Sequence, residues 1–122
     1  MEDKRIPNKI VEIKSVHSED IYINGNNSEN IFVAFINQIG SDLIKEMNIN
    51  YLGANIIDSS PHPFYSDHCK QLSDGNWVNV SGRPKTLANQ IIKICTNLNM
   101  KVEIEFNIGS GVIKIDNNNS IK

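Results

Sequence analysis

The sequence predicts an α+β domain: a mainly antiparallel six-stranded sheet with two amphipathic helices, in the order ββαβ-βαββ. Three observations carry this. Pairs of β-branched runs near both ends of the chain are separated by short turn signals and read as hairpins. Two stretches space their apolar residues at three and four, the mark of a helix with one buried face. Residues 101–108 alternate apolar and polar, as a strand with one wet face does. At 122 residues the chain makes one domain, spanning 1–122, with no room for a second core.

The elements follow in order. Residues 1–8 read as a loose polar tail whose Lys4 and Arg5 could reach a ligand or a partner subunit. Lys9 to His17 is a β-branched strand with partial alternation, Ser18-Glu19-Asp20 a turn, and Ile21-Tyr22-Ile23 the returning strand. Asn24-Gly25-Asn26-Asn27 stops it. Asn27 or Ser28 then caps the first helix, with Glu29 in its first turn. Phe32, Phe35, Ile36, Ile39, Leu43 and Met47 are spaced for one face, and Gly40-Ser41 marks a potential break with Ser41 as a new cap. That aromatic stripe reads first as core, with a helix-to-helix dimer contact as the alternative. Tyr51 to Asp58 reads as a third strand, in which Gly53 and Ala54 leave room for close approach. Residues 59–76 are irregular: Pro61 and Pro63 bracket His62, and Phe64-Tyr65 follow. Asp74-Gly75 turns the chain into a fourth strand, Trp77 to Val80. The second helix starts at Pro84 and runs to about Leu98, with Leu87, Ile91, Ile94, Cys95 and Leu98 inward and Asn89, Gln90, Lys93 and Asn97 outward. Asn99 suits a left-handed cap. The last hairpin runs Lys101 to Ile108 and Val112 to Asp116, and residues 117–122 read as a second loose tail.

Composition narrows the function classes. A net charge of −2 argues against duplex nucleic acid as a partner, which asks for a basic face. No apolar run opens the chain and none approaches the ~20 residues of a membrane span, so a cytoplasmic protein off the membrane is expected. In that reducing compartment Cys69 and Cys95 are expected as free thiols, and Cys95 lies on an apolar stripe. No metal or cofactor is expected. His62, Asp67, His68 and Cys69 lie close in sequence, but their spacing fits no zinc pattern. A nucleophile pair can be drawn from Cys69 with His62 or with His17, without anything to fix its geometry. Neither GxGxxG nor a phosphate-binding P-loop occurs.

One local rule is broken. A helix N-terminus carries partial positive charge and favours an acid in its first turn. The second helix instead begins Gly82-Arg83-Pro84-Lys85-Thr86. Pro84 suits the first helical position, so Arg83 should be the last extended residue. Two cations at that end point to an anion held by Gly82, Arg83, Lys85 and Thr86; two solvated cations are the plainer alternative. Near it stand Phe64, Tyr65 and Trp77, candidates to stack on a flat base, and Asn89, a polar reader one turn into the helix.

The segment Trp77-Val78-Asn79-Val80-Ser81-Gly82-Arg83-Pro84-Lys85-Thr86-Leu87-Ala88, with the length, the acidic balance and the order of elements, resembles the phage anti-Thoeris sponge proteins of the first type, the Tad family. The resemblance implies sequestration, without degradation, of cyclic ADP-ribose isomers made by bacterial TIR enzymes. It also implies a homodimer or an assembly of dimers, with recessed pockets at subunit junctions, aromatic stacking on adenine and cationic contacts to the pyrophosphate. The leading expectation is therefore a non-catalytic binder of a cyclic adenine-nucleotide immune signal. A small enzyme on a phosphorylated metabolite, with His62 or His68 as acid–base group, is the alternative, and a protein–protein inhibitor docking through Phe64-Tyr65 a third.

Overall fold

The computed structural model describes residues 10–109 and 111–117. The class is α+β, with antiparallel pairing throughout. The expected single sheet is instead three. The largest has the order β2-β1-β8-β9, from β1 (Glu12–Ser18), β2 (Ile21–Asn24), β8 (Glu103–Asn107) and β9 (Val112–Asp116). The two terminal hairpins thus lie side by side, joined by β1 and β8. The partial alternation of the first strand has a local cause: a bulge between Ile13 and Ser15 shifts the register, so that Ile13 opposite Phe106 and Val16 opposite Ile104 both face inward. All four are fully buried.

Helices α1 (Ser28–Ile39) and α3 (Pro84–Asn97) pack on that face. Phe32, Phe35 and Ile36 of α1 meet Leu87, Ile91, Ile94 and Cys95 of α3 in one core. The other face, with Lys14, His17, Tyr22 and Glu103, stays wet. The N-terminus of α1 is closed from within the chain. Asn27 Oδ1 accepts the Asn30 N–H at 3.0 Å, and the Glu12 carboxylate accepts the Ser28 N–H at 2.9 Å.

Gly40, at φ +103°, ends α1 and starts a separate third helix, α2 (Ser41–Glu46). That break changes the helical phase, so Leu43, expected on the Phe32 face, is exposed. The start of α2 is tied to a distant turn: Ser41 donates its hydroxyl to Asp74, and Asn76 donates to both Ser41 and Asp42.

The expected strand Tyr51 to Asp58 is three fragments. Leu52 and Gly53 both take positive φ, so β3 (Asn50–Tyr51) folds back on β4 (Ala54–Asn55) as a tight hairpin, and Gly53 serves the turn instead of a close approach. The chain continues as β5 (Ile57–Asp58), which pairs with β7 (Trp77–Asn79). The strand β6 (Cys69–Gln71), absent from the sequence reading, completes the order β5-β7-β6 after a 3₁₀ turn at Ser66–His68. Asn117 is not loose: its side chain accepts the Val102 N–H at 3.0 Å and donates to Met100 O at 2.8 Å. The rest of the two expected tails lies outside the described residues.

Both cysteines are free and buried, and burial pushes the Cys95 thiol up to about 11. Asp74 is the opposite case: hydrogen bonds from the Ser41 hydroxyl and the Asn76 N–H hold its carboxyl below the usual 3.8. A lowered folded-state value means stability that is present above pH 3.8 and lost as pH falls through the lowered value. Asp74→Asn should therefore unfold at a lower temperature than the parent at pH 7, and the two melting curves should converge below pH 3.8. Phe35→Ala, which empties a fully buried site, should cost about 3–5 kcal/mol in urea unfolding, read as a lower midpoint at an unchanged slope.

Candidate functional site

The start of α3 is built as the sequence indicates. Arg83 is extended (φ −88°, ψ 168°), Pro84 occupies the first turn, and no side chain caps the helix. Its first turn contains no acid, unlike those of α1 and α2. Arg83 is exposed and has no salt bridge among the described residues, whereas Lys85, Thr86 and Asn89 are half-buried. Gly82 sits at φ +107°. A side-chain carbon there would stand 2.9 Å from Thr86 Cγ2 and 3.1 Å from the Tyr51 hydroxyl. Gly82 is thus required twice, by its backbone angle and by the lack of space. The same contact brings in a group the sequence reading missed. Tyr51 reaches from β3 to the helix start, and only the β3–β4 hairpin places it there.

Behind this turn lies a cavity of about 260 Å³ between the β5-β7-β6 sheet and the loop that carries His62 and Pro63. Two links hold it beside α3. Asn79 lines the cavity and accepts the Ser81 N–H at 2.9 Å, one residue before Gly82. Ala54, also in its wall, is the cross-strand neighbour of Tyr51.

The expected site residues divide between these places. Gly82, Arg83, Lys85 and Thr86 stand together at the helix start, and Trp77 lines the cavity. Phe64, 85% exposed, lines neither, and its loop partner Tyr65 lies against the His62 ring at 4.9 Å. Gln90, expected outward, is buried, because it takes the third place after Leu87 on the core stripe. Asp58 and Asn79 belong to the cavity and escaped the sequence reading, and Cys69, weighed there only as a metal ligand or nucleophile, joins them, since nothing local reveals that three short strands pair.

A Cys–His pair does not form. Cys69 donates its thiol to Tyr65 O at 3.4 Å, while His62 Nδ1 accepts the Phe64 N–H at 3.1 Å. His17 stands on the wet sheet face, edge-on to Tyr22. Among the described residues no three His, Cys, Asp or Glu side chains gather as metal ligands.

Comparison with family models, with curated proteins and with solved structures yields no match in any of the three. The chemistry of the site must therefore speak from its own residues: donors and cations at one helix end, an aromatic-walled cavity next to it. The first consequence is structural. Gly82→Ala should destabilise the chain by about 1–3 kcal/mol through backbone strain and the contact with Thr86, measured as a lower unfolding midpoint.

Proposed function

We propose that this chain is a non-catalytic binding protein that captures a cyclic, adenine-bearing nucleotide of the cyclic ADP-ribose type. By withholding that signal in the host cytoplasm it blocks antiphage TIR signalling. The observation that carries the reading is the start of α3. Its N-terminal turn lacks an acid and a side-chain cap, and Arg83, Thr86 and the Tyr51 hydroxyl gather around Gly82. A partial positive helix end and a cation suit a phosphate. The adjoining cavity is smaller than the ~300–1,000 Å³ usual for a whole ligand. It suits one ring, with the rest of the nucleotide over the helix start. Nanomolar capture corresponds to about 12 kcal/mol and calls for enclosure. A second copy closing over this end as a homodimer would supply it.

Thermal unfolding with a panel of ADP-ribose isomers tests the reading. A ligand at 100 times its dissociation constant adds about 2.7 kcal/mol, several degrees for a domain of this size. The expected outcome is such a shift, with intact ligand recovered on heating. Arg83→Ala should weaken binding tenfold or more and leave the melting temperature of the free protein nearly unchanged. An altered mass would instead identify an enzyme, and a flat response across the panel would turn attention to a protein partner.

A further inference from the structure

One side chain fastens the loop that walls the cavity, and its proton count decides whether it can. Residues 59–68 link β5 to β6, and Ser60, His62 and Pro63 close the cavity against Asp58, Cys69 and Trp77. The loop is built on a turn. Tyr65 donates its N–H to His62 O at 3.2 Å, and Pro63 takes the second position, where its fixed φ suits a turn. Such a turn leaves over the N–H of its third residue, Phe64. His62 Nδ1 accepts it at 3.1 Å. Asparagine or aspartate commonly plays this part at the first position of a turn, accepting from the backbone two residues on. Here an imidazole does so. Its ring also lies 4.9 Å from the Tyr65 ring and 6.0 Å from that of Phe64. The far half of the loop is fastened differently: Tyr65 O accepts the His68 N–H at 2.9 Å and the Cys69 thiol at 3.4 Å.

A ring nitrogen accepts only while it carries no proton. Neutral His62 is therefore the Nε2–H tautomer, with Nδ1 open to Phe64. Once the ring is protonated both nitrogens donate, and Nδ1–H meets Phe64 N–H, two donors with nothing to share. The pair has to separate. Phe64 is 85% exposed, so its N–H passes to water at little cost. Histidine is the side chain that ordinarily changes charge between pH 5 and 8. The other titratable groups around the ring are Asp58 of β5 and Cys69 of β6 in the cavity wall, Tyr65 in the turn, and Asp67 and His68 in the 3₁₀ turn that follows. Asp58, in the same cavity, offers a charged ring the opposite charge.

We propose that His62 is a pH-operated latch on the cavity. Neutral, it holds the Phe64 turn closed as part of the wall. Protonated, it lets that turn go, while Tyr65 O keeps the far half of the loop attached to β6. The closed state is thus present at high pH and lost as pH falls. The latch governs whether the cavity can enclose a ring of any kind, and it needs neither the nucleotide nor the helix end of the reading above.

Trp77 is the only tryptophan of the chain and lines the cavity, so its quenching by acrylamide measures how open the wall is. The full chain is titrated with acrylamide at pH 8 and at pH 5, the two sides of the histidine range. Quenching should be stronger at pH 5, since one net hydrogen bond is worth about a fivefold change in the ratio of open to closed loop. His62→Asn supplies an oxygen for the Phe64 N–H that no proton blocks, and should stay weakly quenched at both values. His62→Ala should be strongly quenched at both; should it fail to fold, the parent and His62→Asn decide. In amide spectra the Phe64 N–H should shift with the same midpoint as the His62 ring. The latch is overturned if the parent quenches alike at the two pH values, or if the Phe64 N–H ignores the titration of His62. It is equally overturned if His62→Asn keeps the parent's pH dependence, because another group would then be titrating. A flat response to the ADP-ribose panel at pH 8 would sink the nucleotide reading and leave these results untouched.

Discussion

The antiparallel pairing of β1 with β8 is the constraint on which the rest of the molecule depends. It sets Ile13 and Val16 against Phe106 and Ile104 as a dry floor. Helices α1 and α3 can bury their apolar stripes only because that floor is continuous across both hairpins. The bulge keeps it so, since without a shift in register one of Ile13 and Val16 would face water. Glu12, on the same strand, reaches the first N–H of α1 and fixes where that helix begins. The position of α3, and so of Gly82 and Arg83, follows from packing against both.

The small β5-β7-β6 sheet does a different job with three short strands. One of its faces completes the core through Ile57 and Val78, and the other walls the cavity. Ser81 donates both its N–H and its hydroxyl to the oxygen of the buried Asn79 amide. The same Asn79–Ser81 contact connects the cavity to the turn before α3. Tyr51 ties the β3–β4 hairpin to that turn from the other side. The result is a braced corner in which a sheet face and a helix end are held in fixed relation.

What the sequence revealed and what it concealed divides along physical lines. Residues 102–106 alternate against a single dry face, and such a pattern is local, so the strand could be read directly. Pro84 and Arg83 likewise obey a steric rule that needs no partner. The break of Tyr51 to Asp58 was hidden because a two-residue strand has no periodicity, and because Leu52 adopts a left-handed angle its side chain does not favour. Gln90 shows the converse: its spacing marked it as core while its polarity argued for the surface, and spacing won. At the site, the helix start was visible because its residues are consecutive. The cavity was not, because Asp58, Cys69, Asn79 and Trp77 meet only through strand register, which the chain states nowhere in one place.

The adjacency of the two terminal hairpins also governs how the chain comes into being. Synthesis delivers β1, β2 and α1 first, and β8 only after some sixty further residues. Until then β1 has one paired edge and one open one, and Ile13 and Val16 lack the strand that covers them. A contact so distant in sequence closes slowly and leaves the growing chain reliant on the stability of its first hairpin and helix. Glu12, bonded to Ser28 across only sixteen residues, belongs to that early unit. It holds the first helix over its own hairpin while the second half of the protein is still being made.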